Sequence, residues 1–446
     1  MVDRLPVGPY KIVRGANDAS IPWYILPFDR NGRCTGPRTA DAALKQAADG
    51  AFTDVVVFSH GWNNGWQQAT DRYQNFVSGY LDQLVHHPPL GGVRSALLIG
   101  LFWPSKLLAG TADRAPEAAA TPTFAEVDDE RAEVDELGAL LDDSAADRFY
   151  ELTQKDALTR AQAAELVSMF TSLDADDQDE SGADGTFDPA DIAAAWADDP
   201  DIQIAPLDDL DELGFHTAPA SGEGGPEAAA FLDALDPRQV VRAVSVWQMK
   251  HRAGTVGSRG VSALLSGLAE AGPRVHLVGH SFGAKVLLTA LCAPPTVQKV
   301  RSVLLLQPAV SHLCFADKVG KSGPPGGFRK ALDRVELPIL STFSSHDVAL
   351  SHLYKLAMRR RREVGELQFA GRMEPSRYSA LGGVGPHPAG GRIGGELEAL
   401  DPGGSYPLDG AAPDVYGVDA GRTIKDHGDV SNESTWWMLS QLMHQR

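Results

Sequence analysis

Cysteine is scarce in this sequence, which has three cysteines in 446 residues: Cys34, Cys292 and Cys314. Their odd number and wide separation exclude a disulfide framework of the kind that small secreted proteins use. None of them lies at a spacing typical of metal ligands. We therefore expect free, mainly buried thiols and a protein that works in a reducing compartment, the cytoplasm.

Long hydrophobic runs are also absent. No stretch approaches the roughly 18 consecutive apolar residues that a membrane-spanning helix needs. The N-terminal sequence MVDRLPVGPYKIVRG lacks the basic start and apolar run of a signal peptide. Hydrophobic residues make up 43% of the chain and charged residues 22%, which is typical of a soluble globular protein.

The main cluster of basic residues is one short segment, YKLAMRRRRE at 354–363. The segment has no marked apolar face, so we interpret it as a solvated helix surface. Docking to an acidic part of the chain and contact with an anionic membrane surface are the alternatives. Nothing else in the sequence supports membrane contact.

Basic residues are nearly missing from residues 111–236, where 34 acidic side chains accompany 5 basic ones. This contrast with the rest of the chain predicts an acidic, mainly helical insertion at 109–236, within a core formed by 1–108 and 237–446. Contacts with phosphates need lysine and arginine, so nucleic-acid binding by the insertion is excluded.

What the sequence does contain is an alternation of strand-like and helix-like segments. Short apolar runs lie at 53–61, 95–103, 274–281, 300–310 and 337–347, and a last one begins near 415. Segments with helical spacing separate them, which is the pattern of a mostly parallel α/β sheet with helices on both faces. Residues 10–15 and 21–32 predict a leading hairpin at the antiparallel edge, and the glycine- and proline-rich stretch 371–415 predicts a long irregular loop over the site.

The stretch VHLVGHSFGAKVLLTAL at 275–291 carries the strongest local signal. A serine on a sharp strand-to-helix turn is held with its oxygen exposed, and residues two positions away must be small, as Gly279 and Gly283 are. The first amides of the helix can stabilise a developing oxyanion. Ser281 is therefore the candidate nucleophile, and a purely structural turn is the alternative.

With these motifs the chain resembles the α/β-hydrolase superfamily over most of its non-acidic part. In that family the nucleophilic serine is followed by an acid after a later strand and by a histidine after the last strand. The resemblance implies Asp347, at the end of LPILSTFSSHD, as the acid and His427, in TIKDHGDVS, as the base. Asp317 is an alternative acid and His387 an alternative base. The neighbouring His346, Asp426 and Asp429 fit the chain order or the geometry less well.

A second family element is the turn FSHGWNNGW at 58–66, which follows the strand TDVVV. The resemblance implies that the backbone N–H groups of Trp62 and Phe282 form the oxyanion hole. His60 would then organise the turn rather than act as a base. Asn63 and Asn64 either line the site or bind their own backbone.

These elements predict a serine hydrolase that works through an acyl-enzyme. The resemblance implies a carboxylic ester as substrate, either a small ester or a lipid ester. An amidase or peptidase of the same fold is one alternative, and a non-catalytic, calcium-responsive binding or regulatory protein is another. No cofactor is required for the predicted reaction. The sequence leaves the oligomeric state open.

Within the acidic insertion, residues 174–191 weakly resemble an EF-hand loop, with Asp174, Asp176, Asp184 and Asp191 as candidate calcium ligands. The loop is longer than the regular 12 residues and ends in aspartate where a glutamate is usual. An in-register alternative runs from Asp177 to Asp188. A solvated acidic loop without calcium is the other interpretation.

Overall fold

The alternating apolar segments form a nine-stranded sheet in the computed structural model of this chain. The strands are β1 (Lys11–Arg14), β2 (Ser20–Pro27), β3 (Asp54–Ser59), β4 (Ala96–Phe102), β5 (Arg274–His280), β6 (Ser302–Leu306), β7 (Ile339–Phe343), β8 (Leu397–Glu398) and β9 (Val415–Asp419). Their order across the sheet is β1-β2-β4-β3-β5-β6-β7-β9-β8. β1 pairs antiparallel with β2, and every other pair is parallel. The mostly parallel α/β sheet and the leading hairpin are therefore confirmed.

The structure describes residues 5–15, 19–90, 92–106, 137–155, 157–170, 237–293, 299–319, 323–354, 378–388, 391–409 and 413–445, with short pieces at 134–135, 189–190, 192–193, 235, 358 and 375–376. All three cysteines lie in this part of the chain and form no disulfide within it. Cys314 is buried, but Cys34 and Cys292 are only partly buried, so the expectation of mainly buried thiols is wrong. No helix in the described part is long and apolar enough to cross a membrane.

The helices are α1 (Pro37–Ala48), α2 (Trp66–His86), α3 (Asp143–Thr153), α4 (Arg160–Ser168), α5 (Pro237–Val256), α6 (Ser262–Ala271), α7 (Phe282–Cys292), α8 (Leu381–Val384) and α9 (Glu433–His444). A π-helical turn at Gly257–Val261 joins α5 to α6. A 3₁₀ turn spans Arg329–Arg334, and a second π-helical turn spans Ala349–Tyr354.

Each face of the sheet has its own apolar core. Alternate side chains of β3 point to opposite faces, so Val55 and Val57 join one core while Val56 and Phe58 join the other. The first core includes α1, α5, α6 and α7, and the second includes α2 and α9. Every residue of β3 is buried, which explains why its sequence is a continuous apolar run rather than an alternating one.

The described helices of the acidic segment pack against α5. Phe149 of α3 and Leu166 of α4 are fully buried in the same apolar cluster as Val244 of α5. Both helices begin at side-chain caps: Asp142 accepts from the Ala145 amide, and Thr159 forms a capping box with Gln162. The described acidic helices thus share a core with the sheet.

The glycine- and proline-rich stretch is more ordered than its composition predicts. It contributes α8 and the edge strand β8, which pairs with Val418 and Asp419 of β9. A two-residue strand is held by backbone pairing and has no side-chain alternation, so a sequence pattern does not reveal it.

A buried polar array lies at the amino ends of the strands, the edge opposite to the carboxyl ends. Asp54 accepts hydrogen bonds from His276 Nε2 at 2.9 Å, from Arg274 at 2.8 Å and from the Thr53 hydroxyl. The other ring nitrogen of His276 accepts from Ser302 Oγ at 2.7 Å. Burial opposes ionisation of Asp54, but these hydrogen bonds, first that of His276, hold its pKa below the usual value. The array ties β3, β5 and β6 together.

We expect Asp54→Asn to lower the free energy of unfolding by about 3 kcal/mol, because it removes the charge partner of Arg274 from a buried network. The measurement is urea unfolding at pH 7.5. The control is Asp401→Asn, which breaks an ion pair with Arg422 whose two side chains are 73% and 62% exposed. That control should unfold like the wild type. Equal destabilisation of both variants would contradict the role given to Asp54.

Candidate active site

The carboxyl ends of β3, β5, β6, β7 and β9 lie at one edge of the sheet, because these strands are all parallel. In open parallel sheets this edge is where ligands bind. The candidate residues Ser281, Asp347 and His427 each follow one of these strands in the chain.

Ser281 occupies a strained turn between β5 and α7. Its φ is 54° and its ψ is −126°, a backbone conformation that non-glycine residues rarely adopt. A Cβ at Gly279 would lie 2.8 Å from Ala284 Cα, and one at Gly283 would lie 2.2 Å from the Ser59 carbonyl oxygen. Both glycines are therefore needed for the turn to close, as the sequence predicts.

The structure brings Ser281, His427 and Asp347 together in one hydrogen-bonded chain. Ser281 Oγ lies 2.8 Å from His427 Nε2, and His427 Nδ1 lies 2.7 Å from Asp347 Oδ2. Because a carboxylate only accepts, Nδ1–H donates to Asp347, and Nε2 is free to accept the serine proton. Ser281 is 2% exposed, His427 7% and Asp347 0%, so these three side chains are largely shielded from water.

The Asp347 carboxylate is fixed from both sides. Its Oδ1 accepts from the Leu350 amide at 2.9 Å, within the π-helical turn that follows the acid. Its Oδ2 accepts from the Gln307 side chain at 3.0 Å as well as from His427. The carboxylate is therefore held by three donors in a fully buried position.

The loop that carries His427 is held by side chains from several elements. His280 Nε2 donates to the His427 carbonyl at 2.9 Å, Ser344 to Ile424 at 2.9 Å, Asn432 to Asp429 at 3.0 Å and Arg72 to Gly428 at 3.1 Å. Such contacts fix the backbone on which the imidazole stands. His280 is buried, and its Nδ1 has no hydrogen-bond partner among the described residues, so this ring is kept neutral. Burial, together with the nearby charge of Arg72, lowers the pKa of His280 well below its usual value.

The turn after β3 packs directly on the serine. A Cβ at Gly61 would lie 2.7 Å from Ser281 Cβ. The Gly61 carbonyl accepts from His60 Nδ1 at 2.9 Å and from the side-chain Nδ2 of Asn64 at 3.2 Å. The same Nδ2 also donates to the Trp62 carbonyl at 2.7 Å. Asn64 thus binds the backbone of its own turn, one of the two roles that the sequence allows.

His60 is a structural residue of this turn. Its Nε2 accepts from the Trp103 amide at 3.3 Å, which requires the proton on Nδ1, where it donates to Gly61. Burial lowers the pKa of His60 to about 4, and its ring stacks on Trp103 at 5.6 Å. A neutral ring with both nitrogens engaged organises the turn.

Aromatic side chains surround Phe282, the residue that follows the serine. Trp62 is half-buried, and its ring centroid lies 6.0 Å from that of Phe282, which lies 6.5 Å from that of Tyr354. Phe282 is the first residue of α7, so its N–H belongs to the helix amides that lack an intrahelical acceptor. Trp62 and Phe282 thus lie close to each other, and Trp62 follows the Gly61 that packs on Ser281.

The alternative acid and base lie elsewhere. Asp317 forms an ion pair with Arg329. The ring of His387 packs against His312, with centroids 5.5 Å apart, and His346 is exposed. Among these alternatives, none has a described contact with Ser281.

Sequence analysis did not identify Gln307 or His280 as members of this site. His280 lies inside the motif that identified the serine, but its contact with His427 spans 147 positions. Gln307 contacts Asp347 across 40 positions. The one local signal for Gln307 is its place at the carboxyl end of an apolar strand.

The proposed calcium ligands Asp174, Asp176, Asp184 and Asp191, and the alternative from Asp177 to Asp188, lie outside the described residues. The same is true of most of the cationic segment 354–363. Within the part of the chain that is described, no three His, Cys, Asp or Glu side chains are grouped so that they could hold a metal ion.

The buried histidines predict a protein that loses stability in mild acid. In the unfolded chain they take up protons near pH 6.5, whereas in the folded protein burial lowers the pKa of His60 and of His312 to about 4. The unfolded state therefore binds more protons as the pH falls from 6.5 to 4, and the free energy of unfolding falls. For His60 alone the loss between pH 7.5 and pH 5 is about 2 kcal/mol.

The measurement is urea unfolding at pH 7.5 and pH 5. In His312→Leu the difference between the two pH values should be smaller than in the wild type by about 2 kcal/mol. A wild-type free energy of unfolding that is the same at both pH values would contradict this prediction.

The arrangement has a serine oxygen whose proton can pass to a neutral imidazole, a buried carboxylate that orients the imidazole, and backbone amides beside the oxygen. This set of groups is suited to nucleophilic attack on an electrophilic carbon. Comparison of the chain with protein-family models, with curated proteins and with solved structures finds no match.

Proposed function

We propose that the protein is a serine hydrolase of the α/β-hydrolase fold that cleaves a carboxylic ester through an acyl-enzyme. The observation that carries the proposal is the hydrogen-bonded chain from Ser281 through His427 to Asp347, with distances of 2.8 and 2.7 Å. It is supported by the strained turn at Ser281 and by the order serine, acid, histidine after the parallel strands β5, β7 and β9, an order that the α/β-hydrolase superfamily shares.

In the proposed reaction, His427 Nε2 removes the hydroxyl proton while Ser281 Oγ attacks the ester carbonyl carbon. Asp347 keeps the accepting nitrogen directed at the serine and stabilises the imidazolium that forms. The tetrahedral intermediate collapses when its C–O bond to the alcohol breaks and His427 returns the proton to the leaving oxygen. Water then attacks the acyl-enzyme by the same route and regenerates Ser281.

The oxyanion of the intermediate would be held by the N–H groups of Trp62 and Phe282. In a trans peptide the Trp62 N–H points away from the Gly61 carbonyl, and that carbonyl is fixed by His60 and Asn64. The N–H is therefore oriented before substrate arrives, and such preorganised donors need no rearrangement during the reaction.

The proposed substrate class is an ester with an apolar acyl group. The resemblance to the α/β-hydrolase superfamily supports the ester, and the half-buried Trp62, which follows the Gly61 that packs on Ser281, supports the apolar group. Hydrolysis of p-nitrophenyl butyrate, compared with butyryl p-nitroanilide, distinguishes an esterase from an amidase. We expect the ester to be the better substrate, and faster cleavage of the anilide would favour the amidase.

We expect a fluorescent fluorophosphonate to label the wild-type protein at pH 7.5, since the probe reacts with serines activated by a neighbouring base. Ser281→Ala should not be labelled. Ser302→Ala is a matched control, because Ser302 also bonds a histidine that is paired with an aspartate, but it lies on a regular strand at the opposite edge of the sheet. This control should be labelled like the wild type. A folded wild type that resists labelling would instead favour the non-catalytic binding protein.

We expect Asn64→Asp to lower kcat for p-nitrophenyl butyrate about a hundredfold with little change in KM, because a carboxylate would repel the two carbonyls that Asn64 now binds and would turn the Trp62 amide. Gln67→Glu also replaces a side-chain amide with a carboxylate, but at an exposed position at the start of α2, and should keep the wild-type kcat. An unchanged kcat in folded Asn64→Asp would contradict the role of the turn.

A further inference from the structure

We propose that Gln307 is a positioning residue of the site, which holds the Asp347 carboxylate in the orientation that receives His427. The inference rests on the proposed function, since it assigns Gln307 a part in the same reaction. Gln307 directly follows β6, between the strand that leads to Ser281 and the strand that leads to Asp347. Its side chain is fully buried.

Both the nitrogen and the oxygen of the Gln307 side-chain amide form hydrogen bonds. Its Nε2 donates to Asp347 Oδ2 at 3.0 Å and to the Gly382 carbonyl at 3.2 Å. Its Oε1 accepts from the Thr342 hydroxyl at 3.1 Å. The Thr342 hydroxyl oxygen in turn accepts from the Gln307 backbone amide at 2.9 Å. One conformation of the Gln307 side chain therefore satisfies three polar groups, and Thr342 also satisfies the Gln307 backbone amide.

Only one of the two amide orientations agrees with these partners. Asp347 Oδ2 and the Gly382 carbonyl are both acceptors, so the group that faces them must be the NH₂. With the amide reversed, an oxygen would face two oxygens in a buried site. The surroundings thus determine that Gln307 presents a donor to the acid.

This donor restricts the rotation of the carboxylate. Oδ2 is shared by Gln307 and His427, while Oδ1 is bound by the Leu350 amide. Without Gln307, Oδ2 keeps the imidazole as its one remaining described donor, and the carboxylate can turn about its side-chain bond. A misdirected carboxylate would leave His427 less well oriented towards Ser281.

The backbone of Gln307 is strained in a way that connects it with the site. Three non-glycine residues in the described part of the chain have a left-handed φ: Asn63 at 55°, Ser281 at 54° and Gln307 at 44°. All three follow strands at the same edge of the sheet, in the proposed oxyanion turn, at the serine and beside the acid. Strain of this kind costs about 1–3 kcal/mol per residue and is retained where the surrounding structure requires it.

The packing around Gln307 supports this strained conformation. A Cβ at Gly382 would lie 2.5 Å from the Gln307 carbonyl carbon, so α8 lies directly on the backbone of this residue. The Gly382 amide donates to the Pro308 carbonyl at 3.0 Å, and the Ser344 amide donates to the Gly382 carbonyl at 3.0 Å. The segment 381–382 therefore joins the ends of β6 and β7 around the Gln307–Asp347 contact.

The test uses Gln307→Met, which keeps the length of the side chain but removes the donor. Steady-state hydrolysis of p-nitrophenyl butyrate is measured from pH 5 to pH 9, and active sites are counted by fluorophosphonate titration. We expect kcat per active site to fall about tenfold, as for loss of a hydrogen bond to a charged group, while KM stays within about twofold. Gln307→Glu replaces the donor with a second carboxyl group beside Asp347 and should lose more kcat than Gln307→Met.

The pH profile separates positioning from a merely structural effect. Loss of a donor to the Asp347 carboxylate changes the hydrogen bonding of the Asp347–His427 pair, so the acid limb of kcat/KM should move to higher pH in Gln307→Met. The other titratable groups around His427, which are His280, Arg72 and Asp426, are the same in every variant. Ser302→Ala, at the amino end of the same strand, should keep both the kcat and the acid limb of the wild type.

A second measurement does not depend on turnover. The proton on His427 Nδ1 that bonds Asp347 is followed by NMR at low field, and we expect its resonance to shift in Gln307→Met and to stay in place in Ser302→Ala. If the wild type is labelled and active while Gln307→Met keeps the wild-type kcat, acid limb and resonance, the inference is wrong and the proposed function stands. If the wild type is neither labelled nor active, the proposed function is wrong, and the positioning of Asp347 by Gln307 is then upheld by a shifted resonance and overturned by an unshifted one.

Discussion

The close approach of two backbones at Gly283 is the constraint on which the site depends. A Cβ there would lie 2.2 Å from the Ser59 carbonyl oxygen and 2.5 Å from that of His60, so α7 starts in contact with the end of β3. This contact also sets Gly61 against Ser281. Ser281 and the turn after β3 are thus fixed relative to each other by main-chain packing. A larger residue at 283 would push the start of α7 away from the end of β3, because its Cβ would collide with main-chain atoms and not with side chains of the site.

The two Ser–His–Asp arrays of this protein show that residue type alone does not define a reactive site. In the array at the amino edge, Asp54 also forms an ion pair with Arg274, and His276 and Ser302 are residues of the strands β5 and β6. In the array at the carboxyl edge, the serine stands on a strained turn at a helix start. The first arrangement joins strands of a sheet. The second presents an oxygen beside free helix amides, which is why we assign the chemistry to Ser281.

The sequence predicted those features that depend on neighbouring residues. The sheet, the glycines around Ser281 and the leading hairpin follow from local apolar patterns and local sterics, whereas Asp347 and His427 were predicted from the residue order of the family that the chain resembles. Gln307 and His280 could not be found in this way, because their partners lie 40 and 147 positions away and carry no motif of their own. The edge strand β8 is held by backbone pairing with β9, and its composition is that of a loop.

The shared core of the acidic helices has a thermodynamic consequence. Because Phe149 and Leu166 are buried in the same cluster as α5, and α5 continues through a π-helical turn into α6 beneath the sheet, removing α3 and α4 would expose part of the apolar surface of α5 to water. The helices of the charged segment and the sheet are therefore coupled in folding, and heat or denaturant would disrupt them in concert. The acidic segment and the rest of the chain thus differ in charge but unfold together.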